Sequence, residues 1–119
     1  MILADTSVWV NHLRAGVPEL SKLLQEAEIS CHPFILGELA CGNLKNRAEI
    51  ISLLHTLPML PVITQEEFMF FVDSNKLAGT GVGFVDVHLL ASAKLMQVPI
   101  MTEDLKLKNV ARALKLLFE

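Results

Sequence analysis

Residues 1–10 read MILADTSVWV: an apolar run, Met1 to Ala4, stops abruptly at an acid. A short apolar run without polar alternation is the pattern of a strand buried on both faces, as in a parallel sheet. Ligands of open parallel sheets bind beyond the carboxyl ends of the strands, near the point where strand order reverses. Asp5 ends this strand and is placed for such a site. It can also serve as the cap of the helix that follows.

Outward from that strand, helix and strand patterns alternate. DTSVWVNHLRAG (5–16) reads as a helix start with Thr6 or Ser7 as cap and Gly16 as stop. PELSKLLQEA (18–27) is a second helix with Pro18 in its first turn, and EISCH (28–32) a short strand. PFILGELACGN (33–43) and RAEIISLLHTL (47–57) read as helices, and MLPVI (59–63) as a short extended piece. TQEEFMFFVDSNKLAGTG (64–81) is a helix opened by Thr64, with Glu67 completing a capping box. FVDVHLLASAKLMQ (84–97) is helical, PIM (99–101) a short strand, TEDLKLKNVARAL (102–114) a turn and helix, and KLLFE (115–119) a last strand. Strands alternating with helices predict an α/β fold: a short parallel sheet with helices on both faces.

The chain has 119 residues, 52% of them hydrophobic, enough for one domain over residues 1–119 with its own core. No apolar stretch approaches the roughly 20 residues of a membrane span, and no secretory leader is legible. Cys31 and Cys41 make no disulfide framework, no Cys/His cluster has zinc spacing, and a reducing cytoplasm is the simplest compartment. The net charge of −3 does not advertise a nucleic-acid binder. So apolar a small chain suggests a surface covered by a partner.

Most acids have ordinary settings. Glu19, Glu26, Glu28, Glu49, Glu66 and Glu67 fall in helix first turns or on polar faces, and Asp73 can pair with Lys76. Others resist that reading. The helical neighbours of Glu38, three and four residues away, are Phe34, Ile35, Cys41 and Gly42, so it projects from an apolar face, where a lone charge needs a partner or a metal; the less favoured alternative is a rim position with the carboxylate reaching solvent. Asp86 heads the inward face of Leu89, Leu90 and Ala93, though a helix cap is an equal alternative for it alone. In IMTED (100–104) an apolar strand again ends at acids, Glu103 and Asp104. Thr102 can cap that turn through the Asp104 amide, aiming Asp104 at Asp5 and Asp86 and leaving Glu103 to solvent. Acids gathered at strand ends and helix starts repel one another and call for a cation, and an all-carboxylate donor set favours Mg2+ or Mn2+. Carboxylate-held divalent ions are a known device for cutting phosphodiesters, and they reverse the local field where a phosphate binds.

Four stretches, ILADTSVWVNHLR (2–14), ILGELACGN (35–43), GVGFVDVHLLASA (81–93) and IMTEDLKL (100–107), resemble in order the motifs of PIN-domain ribonucleases, specifically VapC-type toxins of toxin–antitoxin systems. The resemblance implies an Mg2+- or Mn2+-dependent endoribonuclease, a homodimer, and inhibition by a VapB-like antitoxin. Carried over by motif, the acidic site is Asp5, Glu38, Asp86 and Asp104, with Thr6 or Ser7 beside the metal and Thr102 in support. Water as nucleophile implies 5′-phosphate and 3′-hydroxyl products. The competing readings are a DNA-directed nuclease or phosphatase on the same acids, and a binding module whose acids only cap helices.

Other features attract simpler explanations. GTGVGF (79–84) follows a helix and lacks the spacing of a nucleotide loop, which leaves it a flexible connection along a substrate groove. His88 is two residues from Asp86 and is expected on the helix surface or in a groove, and Cys31 and Cys41 in the core. Phe68, Met69, Phe70 and Phe71 cover more than one helix face, so part of that block suits a dimer interface. Lys106, Lys108, Arg112 and Lys115 form either a solvated face or a phosphate-steering rim.

Overall fold

The computed structural model describes residues 1–119. Its elements in chain order are β1 (Ile2–Ala4), α1 (Thr6–Ala15), α2 (Pro18–Gln25), β2 (Ile29–Ser30), α3 (Pro33–Cys41), α4 (Arg47–His55), α5 (Gln65–Ser74), α6 (Phe84–Met96), β3 (Ile100–Met101) and α7 (Leu105–Ala113). The sheet is parallel with order β2-β1-β3. Single parallel bridges, Cys31 to Met59 and Ile100 to Leu117, widen it by one short segment at each edge. MLPVI and KLLFE are therefore edge pieces making one bridge each rather than full strands.

β1 is central, and the direction of succession reverses there. With right-handed crossovers, α1 and α2 fall on one face and the helices between β2 and β3 on the other. The core follows from the apolar runs: Leu3, Ala4, Ile29 and Ile100 in the strands, with Val8, Trp9, Leu20, Ile35, Leu39, Leu89, Leu90 and Leu107 packed over them. No helix is long and apolar enough to cross a membrane.

The helix starts match their local chemistry, with two corrections. Thr64 and Glu67 form the reciprocal capping box. The cap of α1, however, is Asp5 rather than Thr6 or Ser7: its Oδ1 accepts the Val8 amide at 3.2 Å. The Asp73–Lys76 pair does not form, because Lys76 lies past the end of α5 with a left-handed φ of 54°.

Candidate active site

Three elements that begin or end at the carboxyl edge of the sheet bring the acids together. Asp5 follows β1 and is almost fully buried. Its Oδ1 accepts from the Ser7 hydroxyl at 2.6 Å as well as from the Val8 amide, and its Oδ2 accepts from the Thr102 hydroxyl at 2.6 Å. Thr102 follows β3 and itself accepts the Asp104 amide at 3.1 Å, the turn expected from the sequence. Asp104 in turn caps α7, its Oδ1 accepting the Leu107 amide at 2.9 Å. Asp5 and Asp104 thus repeat one device: a carboxylate shortly past a strand, one residue after β1 and three after β3, fixed by the third amide of the next helix.

Asp86 is the third residue of α6, half-buried and facing the others. Burial raises its carboxyl first, and Asp5, Asp104 and Glu38 add repulsion, pushing it up to about 6. No hydrogen bond offsets that rise. In Asp5 burial again pushes upward, while the bonds from Ser7, Thr102 and Val8 pull back and Asp104 adds a smaller rise. Asp5, Asp86 and Asp104 all lie at helix N-termini, whose dipoles partly compensate their charge.

Glu38 differs from expectation. It is exposed, not buried on an apolar face, and its Oε1 accepts the Thr6 hydroxyl at 2.6 Å, which ties α3 to the start of α1. The apolar neighbours of Glu38 mark the side of α3 that meets α6 at the rim of the site, so its carboxylate reaches the opening. Glu103 is exposed as well and accepts from the Asn11 amide group, which turns it away from Asp5 and toward the α1 surface. Ser7 links the two ends of the site: besides donating to Asp5 it accepts the Glu103 amide at 3.0 Å.

The donor set is all oxygen, as a hard divalent cation requires. No three of the chain's His, Cys, Asp and Glu side chains converge into a closed cage. The arrangement therefore fits Mg2+ or Mn2+ held by one or two carboxylates with water completing the shell, and it does not fit an all-protein site.

Two residues were misplaced by sequence reasoning. His88 is buried rather than on the surface, packed against Phe34, Phe68 and Phe84 with ring centroids 4.7 Å from each. Cys41 is exposed, while Cys31 is in the core as expected. His32 reads in the sequence only as the end of the strand EISCH, with no role of its own. It is fully buried, its Nδ1 accepts the Phe34 amide as the cap of α3, and its Nε2 lies 3.2 Å from the Ser92 hydroxyl, which donates to the Pro61 carbonyl. Since that hydroxyl's proton is used on Pro61, the neutral Nε2–H tautomer satisfies every partner. His at the residue before Pro33 was the available signal, since the position before a first-turn proline is a cap.

Comparison with known proteins agrees with this geometry. The family model described as PIN domain matches residues 2–113. The chain is 43% identical over 109 residues to Ribonuclease VapC32 of Mycobacterium tuberculosis, in strains CDC 1551 / Oshkosh and ATCC 25618 / H37Rv, covering 91% of this chain and 88% of that protein. The crystal structure of PAE2754 from Pyrobaculum aerophilum superposes with a TM-score of 0.60 at 14% identity, over 92% of this chain and 78% of that one, a likeness of fold. A parallel sheet that gathers acids at its switch point, a family match over nearly the whole length and a relative of this similarity converge: the chain belongs to the PIN-domain family, as a member of VapC type.

Proposed function

We propose that this protein is a VapC-like toxin, a divalent-metal-dependent endoribonuclease restrained by a cognate VapB-like antitoxin and acting in the cytoplasm. The carrying observation is the group of four carboxylates at the carboxyl edge of the sheet, in which Asp86 is raised to about 6 chiefly by burial and then by Asp5, Asp104 and Glu38. Asp5 and Asp104 cap helices, but Asp86 accepts no hydrogen bond, and its crowding against the other acids is unfavourable without a cation. The relationship to a named ribonuclease supports RNA as substrate.

Asp5 and Asp86 would hold Mg2+ or Mn2+, with Asp104 and Glu38 reaching it through its water shell. When bound, the ion supplies an acidified water and charge neutralisation on the phosphate. Asp5 is fixed for this task by Ser7 and Thr102 and has no rotamer freedom to lose. Asp86 or Asp104 would orient the attacking water. Glu38, at the rim, sets the approach of the substrate strand, steadied by Thr6. None of the four histidines hydrogen-bonds to the acidic group as a base for 2′-hydroxyl attack would be placed to do: His32 and His88 are buried, the Nδ1 of His12 accepts the Val17 amide, and His55 ends α4. The products are a 5′-phosphate and a 3′-hydroxyl.

The protein also presents an apolar surface that suits a homodimer. A concavity of about 550 Å³ lies between α5 and α6, bordered by Phe70, Phe71, Ala91 and Leu95, with Glu66, Glu67 and Lys94 around it.

Incubation of the purified protein with a fluorogenic single-stranded RNA tests the reading. Cleavage with millimolar Mg2+ or Mn2+, loss of cleavage in EDTA, and ligatable 5′-phosphate ends are expected. Metal-independent cleavage, 2′,3′-cyclic phosphate ends, or equal cleavage of the matching DNA would overturn it.

A further inference from the structure

Beside the acids, on the α3 side, the surface opens into a concavity of about 560 Å³ walled by Pro33, Phe34, Gly37, Glu38, Cys41 and Val85. Positions 33, 37 and 41 are successive turns of one face of α3, and Phe34 and Glu38 are the next row. Glu38 is therefore shared: one side of it faces Thr6 and the acids, the other lines this concavity. The Phe34 ring is held rigidly, with His32 at 5.2 Å and His88 at 4.7 Å, both edge-on. Phe84 lies parallel to it at 6.3 Å and 21° and remains 56% exposed, although it is only two residues from Asp86.

The chemistry of these walls is selective. A phosphate approaching Glu38 from this side meets a negative charge and no cation, whereas a nucleobase presents a neutral π-face. Aromatic platforms take unpaired bases with little dependence on their identity. We propose that this concavity is a nucleobase subsite: an unpaired base of the RNA lies against Phe34 and Val85, and its own backbone delivers the adjoining phosphate past Glu38 to Asp5 and Asp86. The proposal rests on the ribonuclease reading for its substrate, while the Cys41 alkylation arm of its test reads binding without cleavage. It assigns Phe34 as a substrate-binding residue and Gly37 as the position that keeps the floor open.

Two features make the subsite testable without disturbing the fold. A Cβ at Gly37 would meet no atom within 4 Å, so Gly37→Leu fills the concavity from a helix interior where leucine is the better helix former. Cys41 stands exposed in the wall, while Cys31, the other cysteine, is fully buried and marks unfolding if it reacts.

Alkylation of Cys41 by iodoacetamide in EDTA is followed with a single-stranded RNA and with the same strand made abasic. The intact RNA is expected to slow alkylation and the abasic strand to leave it unchanged. In the metal-loaded cleavage assay, Gly37→Leu and Phe34→Leu are expected to raise KM by on the order of tenfold to a hundredfold with little change in kcat. An abasic scan of the substrate should find one position where base removal costs the wild type and costs Gly37→Leu nothing further. Unaltered alkylation with RNA, or an unchanged KM in a folded Gly37→Leu, overturns the subsite. Protection of Cys41 by raised protein concentration alone overturns it too, by showing that a second copy covers this face. If RNA protects Cys41 but the wild type cleaves no RNA, the subsite stands and the ribonuclease reading falls.

Discussion

Asp5 and Asp86 carry the same charge into the same site, yet they differ in what surrounds them. Asp5 accepts three hydrogen bonds and Asp86 none. Asp86 has a folded-state value of about 6 against an ordinary 3.8, so between those values the folded protein binds more protons than the unfolded one. Stability contributed by its protonation is present at low pH and lost as pH rises through 6. Asp86→Asn is therefore expected to stabilise the metal-free protein by about 1–2 kcal/mol at pH 7.5, after allowing for solvent screening, and by nothing near pH 4. Asp5→Asn removes a charge but points an amide NH2 at the Thr102 hydroxyl, which already accepts from Asp104. The two effects oppose one another at about 1 kcal/mol each, so its stability should stay near that of the wild type. Urea unfolding in EDTA at both pH values checks the ranking, and both variants should lack cleavage. Thr102 is a positioning residue in this scheme. Thr102→Val removes the donor to Asp5 and the acceptor for Asp104, and should weaken metal-dependent activity by about 10- to 100-fold. Thr102→Ser should restore most of it. Damage from Thr102→Ser as large as or larger than that from Thr102→Val would overturn the positioning role of the hydroxyl.

At the scale of elements, α3 carries both Glu38 and the aromatic face, and its start is fixed by a histidine. His32 is driven down to about 4, first by burial and then by His88. Its Nδ1 accepts the Phe34 amide, so protonation there removes the cap. Between pH 6.5 and 4 the unfolded chain binds more protons than the folded one, and stability falls as the solution is acidified. His88, lowered by burial, acts in the same direction. A loss of up to about 3 kcal/mol across this window is expected, measured in the Asp86→Asn background so that the opposite trend of Asp86 does not mask it. His32→Asn, which keeps a capping oxygen but has no proton to gain, should flatten the profile. If both proteins decline alike, His32 does not control the acid response. The same elements show what the sequence makes legible. The strands announce themselves because a buried parallel strand is a plain apolar run, and the acids at their tips break that run. The turn after β3 is legible for a similar reason, since Thr102 reads as its cap and does accept the Asp104 amide. Glu38 is less so: the residues three and four positions away identify its helix face, but whether that face meets the core or the rim depends on where α3 lies against α6. Cys41 was misjudged on the same ground. His88 was misjudged because its burial comes from three phenylalanines, two of them outside α6.

For the molecule as a whole, the uneven distribution of apolar surface decides the argument. The acids and the aromatic concavity occupy the carboxyl edge of the sheet. The outer faces of α5 and α6 are separate and hold Phe70 at 74% exposure and Leu95 at 60%, with Met69 and Met96 also in solvent. Isolated apolar residues on a surface need no partner, but large side chains grouped on two adjacent helices do. Charge favours a second copy as that partner. Glu66 and Glu67 open α5 and Lys94 lies in the last turn of α6, on opposite sides of the groove. A two-fold axis through such a patch lays each residue against its counterpart's surroundings, so acidic and basic borders can meet across it. Phe70→Glu places a charge in the centre of that contact and adds nothing to the fold's interior, since Phe70 is outside the core. Light scattering should give a dimer for the wild type at micromolar concentration and a monomer for Phe70→Glu, with unchanged helix content. Cleavage of short RNA by the monomeric variant should persist, because every acid proposed to act lies within one chain. A wild-type monomer at that concentration would remove the case for this interface, and an inactive but folded monomeric variant would show that a second copy completes the site.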